Sequence, residues 1–140
     1  MTEIPFVLDT NAVIFLTTAG NVIPPGLQDE LNQTDLFISV ITEIELLSKP
    51  ALPPGEEENL RSLIAERMPI IDLTDTVKRE AIALRRSGRL KLPDCIVAAT
   101  AIATNAVLLT DDTKLLRLAW PGYAAKNLNP ISGRVEGGHG

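Results

Sequence analysis

Four short apolar runs constrain this chain more than anything else in it: FVL (6–8), LFISVI (36–41), PIIDL (69–73) and AVLLT (106–110). They are continuous rather than alternating, and rich in Leu and β-branched residues. Strands buried on both faces read this way, whereas strands with one wet face alternate. Between the runs lie helical stretches near 11–17, 26–33, 43–49, 55–67, 75–87, 94–104 and 112–118, and a fifth, weak strand is predicted around 124–128 (AAKNL). Strands alternating with helices imply βα units, a parallel sheet and helices on both sides of it. Pro-rich stretches at 24–25 and 50–54 mark loops or helix starts. There are no internal repeats and no low-complexity blocks.

The 140 residues suffice for one core and hardly for two. A single domain over 1–131 is expected, with 132–140 (SGRVEGGHG) a loose tail that has little to bury. Aromatics make up only 4% of the chain, so Leu, Ile, Val and Ala must fill the core. No run approaches the roughly 20 apolar residues of a membrane helix, and the N-terminus has no basic or long apolar leader, so a cytoplasmic location is expected. One cysteine, Cys95, and one histidine, His139 in the tail, exclude an internal disulfide, a typical zinc site and a histidine-based mechanism.

What remains for chemistry is carboxylates. In open parallel sheets ligands bind beyond the carboxyl ends of the strands. Asp9 directly follows FVL, Glu45 lies a helical turn after LFISVI, and Asp111 and Asp112 follow AVLLT. Asp94 opens a helix after Pro93, in LPDCIVAATAIAT, where apolar residues all round predict a buried helix. Each acid also has a structural use. Asp9 can cap the helix after it, although Thr10 and Asn11 are good caps themselves, and a charge ending an apolar strand calls for another reason. Thr42 and Glu45 fit the T-x-x-E capping box, with Glu43 a spare acid on a different side of the helix. Asp94 suits the dipole of a helix start. Of Asp111 and Asp112, one is expected to cap the next helix and the other to be free.

Together the acids weigh more than singly. Carboxylates gathered at one sheet edge repel one another unless a cation neutralises them. Oxygen-only ligands suit Mg²⁺ or Mn²⁺, which can lower the pKa of a bound water and stabilise charge on a phosphate. Phosphodiester hydrolysis without His, Cys or Ser is the chemistry implied. The net charge of −5 runs against a polyanionic substrate, but charge is segregated: residues 74–91 hold six basic residues against two acids, and residues 29–58 hold eight acids against Lys49 alone.

LDTNAVI (8–14), ISVITEIELLSKP (38–50), KLPDCIVAATAIA (91–103) and LLTDDTKLLRL (108–118) resemble, in order, the four motifs of PIN-domain ribonucleases, and most of all the VapC-type toxins of bacterial toxin–antitoxin pairs. The resemblance runs from Val7 to about Asn129. It implies a three-layer α/β/α sandwich around a parallel sheet of about five strands, and an Mg²⁺-dependent endoribonuclease in which Mn²⁺ can substitute. Carried onto this chain, the metal-binding and catalytic acids are Asp9, Glu45, Asp94 and Asp112. Asn11 and Thr110 would order the site, and Asp111 would be a cap or a surface residue. Arg85, Arg86, Arg89 and Lys91 read either as a solvated helix end or, by analogy, as a clamp on the RNA backbone. The family also implies an antitoxin partner and a homodimer, for which the helices at 55–67 and 75–87 offer a shared face. Pro50 stands where the family often has glycine, and Leu115 or Leu116 where it often has Phe; neither touches the carboxylates. The rivals are a PIN-fold binding domain without nuclease activity and an aspartyl phosphatase or phosphoacceptor domain. The last two want a second acid near Asp9, where Asn11 stands.

Overall fold

The computed structural model describes residues 3–50 and 52–128. The expected tail at 132–140, with His139, lies outside them, as does the boundary at 131. Five strands, β1 (Phe6–Leu8), β2 (Leu36–Ser39), β3 (Ile70–Ile71), β4 (Val107–Thr110) and β5 (Ala125–Asn127), form one sheet in the order β3-β2-β1-β4-β5. Every pairing is parallel. The helices are α1 (Thr10–Thr17), α2 (Pro25–Gln33), α3 (Val40–Leu47), α4 (Pro54–Arg67), α5 (Asp75–Arg86), α6 (Leu92–Ala103) and α7 (Thr113–Arg117).

Side chains of a strand alternate between the two faces of the sheet, and the core divides accordingly. Phe6 and Leu8 of β1 and Leu109 of β4 join a cluster with Val13, Leu31, Leu46 and Ile64, beneath α1–α4. Val7 and Leu108 face the opposite way, into a cluster with Val77, Leu84, Val97 and Leu115, from α5, α6 and α7. Val7, Ile38, Leu108 and Leu109 are fully buried, as the continuous apolar runs require. This is the expected three-layer α/β/α sandwich. Among the described residues no helix is long and apolar enough to cross a membrane.

Strand order reverses at β1. From β1 the chain builds outward through β2 and β3, then returns through α5 and α6 to place β4 on the other side of β1. The carboxyl ends of β1 and β4 thus flank the point where the connections diverge, and a crevice opens there.

Several boundaries differ from expectation. The run LFISVI yields strand only to Ser39. Its side-chain Oγ accepts from the Ile41 N–H at 2.9 Å and caps α3, so the β-branched pair Val40-Ile41 is helical. Thr42 therefore lies inside α3, and the T-x-x-E capping box does not form. PIIDL contributes two strand residues, at the sheet edge. The third-motif helix begins at Leu92, with Pro93 in its first turn, where a missing N–H costs nothing.

Candidate active site

Asp9 ends the central strand and is 7% exposed. Its backbone is extended, so its carboxylate turns onto α1, where Oδ1 accepts from the Ala12 N–H at 2.8 Å. Asp9 is thus the cap of α1, against the expectation that Thr10 or Asn11 would serve. Thr10 is already the first helical residue. The other oxygen, Oδ2, accepts from the Thr110 hydroxyl at the end of β4. Burial pushes the Asp9 carboxyl up to about 6; the Thr110 and Ala12 hydrogen bonds oppose that, and the charges of Asp111 and Asp112 add to it.

Thr110, fully buried, also accepts from the Asp112 N–H at 3.0 Å, so one hydroxyl ties the loop after β4 to the acid after β1. Asp112 in turn caps α7, its Oδ1 accepting from the Lys114 N–H at 2.8 Å. The cap is Asp112, then, and Asp111 is an exposed neighbour. Capping leaves Asp112 facing the crevice all the same.

Glu45 lies in the second turn of α3, one turn after Ile41 and on the same face. Its Oε1 accepts from the Thr10 hydroxyl. Asp94, in the first turn of α6, is half-buried. Burial raises its pKa, and so do the charges of Asp112 and Glu45, while Lys91 and Lys114 pull it down. The four acids share one cavity of about 270 Å³, whose wall also includes Thr10, Asn11, Ile41, Pro93, Val97 and Leu115. Four distant segments have been brought to one place, and Glu43 is not among them: it borders a different cavity with Leu47 and Arg61.

Among the described residues, no three Asp, Glu, His or Cys side chains are gathered closely enough to ligate one ion together. The donor set nonetheless suits a hard cation. It is all oxygen, and Mg²⁺ keeps several waters and takes only one or two carboxylates directly. Burial, first, and then the charges of neighbouring acids raise the pKa values of Asp9 and Asp94, and a cation at the cavity would favour their charged forms. A hydrated ion fits this cavity better than a dehydrated one in a protein cage.

Of the basic stretch, Lys91 precedes α6 and its charge reaches Asp94. Arg85 donates to the Leu90 carbonyl at 3.2 Å and Arg89 to the Ala119 carbonyl at 3.2 Å, so both hold loops. Arg85 and Arg86 border an apolar cavity with Leu73, Ile82, Leu92 and Ile96 instead of the acidic one. Sequence reasoning missed Thr10 and Lys114 as neighbours of the acids, because a half-buried threonine at a helix start and an exposed lysine carry no periodic signal. It also missed Tyr123. Its hydroxyl donates to the Leu115 carbonyl at 2.6 Å, and burial, then the charges of Asp9, Asp112 and Asp94, push its pKa far up.

Comparison with known proteins places this geometry. The PIN domain family model matches residues 6–121. No curated protein matches the chain. Among solved structures, VapBC2 from Rickettsia felis bound to a DNA fragment from its promoter is similar with TM-score 0.69 at 23% identity, over 88% of this chain and 98% of that one. A toxin–antitoxin complex from Klebsiella pneumoniae gives TM-score 0.66 at 28% identity, over 84% and 94%. DNA-bound VapBC from Salmonella typhimurium gives 0.67 at 23%, over 90% and 99%.

Proposed function

The chain belongs to the PIN domain family, and from that premise we propose that it is a metal-dependent endoribonuclease, with Mg²⁺ as its ion and Mn²⁺ able to substitute. In the same proposal it is the toxin of a toxin–antitoxin pair, restrained in the cytoplasm by a separately encoded antitoxin. The observation that carries the reading is the convergence of Asp9, Glu45, Asp94 and Asp112 on one cavity where the strand order reverses. The likeness to toxin–antitoxin complexes supports the biological role.

Asp9 and Asp94 would hold the main ion, and Asp112 would complete the pocket or hold a second one. When bound there, such an ion would supply an acidified water and neutralise charge on the scissile phosphate. Glu45, the most exposed of the four, would orient the attacking water and take its proton. Thr110 holds Oδ2 of the Asp9 carboxylate, and Asn11 lines the same cavity. Lys91, whose charge reaches Asp94, would meet RNA phosphates, while Arg85 and Arg86 border the apolar cavity and Arg85 and Arg89 hold loops; a phosphate contact positions a strand without reading its bases.

A homodimer belongs to the same proposal. Leu73, Ile82 and Leu92 are exposed large apolar residues on and beside α5 and α6. The shared face is placed there rather than on α4, whose Leu60, Leu63 and Ile64 turn to the core.

The test is incubation of purified protein with mixed RNA in Mg²⁺, in Mn²⁺ and in EDTA. Cleavage is expected with either metal, and loss of it in EDTA and in Asp94→Asn. Cleavage that persists in EDTA would refute the metal mechanism. A well-folded protein that cuts no RNA would instead favour the PIN-fold binding domain, which the absence of a three-acid cluster among the described residues also suits.

A further inference from the structure

We propose that Thr10 is a positioning residue for Glu45, its hydroxyl holding the glutamate carboxylate in one orientation at the acidic cavity. The inference rests on the nuclease reading for its consequence in activity, but its structural content stands apart from it.

The behaviour of the chain's other threonines shows what is unusual here. Inside helices a threonine hydroxyl ordinarily bonds back to a carbonyl of the preceding turn. Thr17 donates to the Val13 carbonyl at 2.7 Å, Thr100 to that of Ile96 at 2.7 Å, and Thr104 to that of Thr100 at 2.8 Å. Thr10 has no such outlet, because it is the first residue of α1 and no helical turn precedes it. Its hydroxyl reaches across to another helix, 35 residues on in sequence, and donates to Glu45 Oε1. Both residues line the acidic cavity.

Glu45 needs such a partner. It is exposed, on a long side chain with several rotamers, and no described cation pairs with it. A glutamate free to turn away leaves a water unoriented most of the time, and misplacement by about 1 Å can cost on the order of 100-fold in rate. Thr10 is β-branched, so its own χ1 is restricted and the hydroxyl is delivered in few directions. The bond uses Oε1, and the carboxylate's second oxygen keeps its lone pairs for a water or an ion. The pair parallels Thr110 and Asp9: two threonine hydroxyls each fix one acid of the cavity, one buried and one at its rim.

The test has two readouts on the full chain. Three-bond scalar couplings measured by NMR report the Glu45 side-chain torsions. They should show one dominant rotamer in the wild type and in Thr10→Ser, and averaging in Thr10→Val. In RNA cleavage, Thr10→Val should lower kcat by roughly tenfold or more with KM within about twofold, and Thr10→Ser should recover most of the loss. In a Glu45→Ala background, Thr10→Val should have no further effect, since a positioning residue acts only through its target. Rotamer averaging in the wild type overturns the proposal, and so does a Thr10→Val enzyme with unchanged kcat. A single wild-type rotamer in a protein that cuts no RNA refutes the nuclease reading and leaves the positioning role intact. If Thr10→Val does not fold, Thr10→Ala removes the same hydroxyl.

Discussion

Asp9 carries three jobs on one carboxylate: it caps α1, accepts from Thr110 and faces the cavity. The energetic consequence follows from its burial. A carboxyl raised from 3.8 to about 6 binds its proton more tightly in the folded than in the unfolded chain. The stability that comes from this is fully present below pH 4 and is lost as pH rises through 6, amounting to about 3 kcal/mol above that. Asp9→Asn removes the titration and keeps a capping side chain. Without added metal, urea unfolding free energies of wild type should therefore fall relative to Asp9→Asn between pH 4 and pH 7. Mg²⁺ at pH 7 should restore the wild type and leave the variant unchanged. A difference between the two proteins that stays flat across that range would show that Asp9 is not charged at a cost.

At the scale of elements, the site depends on how α3 and α6 start. Ser39 halts β2 and caps α3, which sets the rotation that puts Ile41 and Glu45 on the cavity side and Thr42 and Leu46 in the core. Ser39→Ala should cost roughly 0.5–2 kcal/mol in chemical denaturation, and a loss below that range would assign the helix start to packing alone. α6 achieves its start differently. No side chain caps it; Pro93 needs no partner for its missing N–H, and the small residues Ala98, Ala99 and Ala101 let the helix lie close on the sheet. Asp94 is carried to the cavity by that packing rather than by any bond of its own.

Across the whole molecule, one face is acidic crevice and another is apolar with cations at its rim. Ile82 is 52% exposed and Leu92 54%, beside Arg85, Arg86 and Lys78. Placing Ile82→Glu on that face should leave the protomer folded, because about half of the side chain is exposed and the substitution can turn to solvent. It should also convert a dimer to a monomer in light scattering after size exclusion. A variant that elutes and scatters as the wild type does would move the shared face elsewhere.

The sequence alone determined the architecture and which acids meet at one cavity. Short continuous apolar runs alternating with helical stretches point to strands covered on both sides, and acids that follow such strands have no core to enter, so they gather at the sheet edge. The gathering of Asp9, Glu45 and Asp112 at one cavity was legible for that reason, and that of Asp94 from its place at the start of a buried helix. Their roles were not. Whether Thr42 or Ser39 starts α3, whether Asp111 or Asp112 caps α7, and whether Asp9 caps at all turned on single backbone torsions, which local residue preferences leave nearly degenerate. The threonine bonds were further out of reach. Thr10 meets Glu45 and Thr110 meets Asp9 only after the sheet has brought together segments 35 and 101 residues apart. Such contacts follow from strand order, and strand order is decided by the packing of the whole chain.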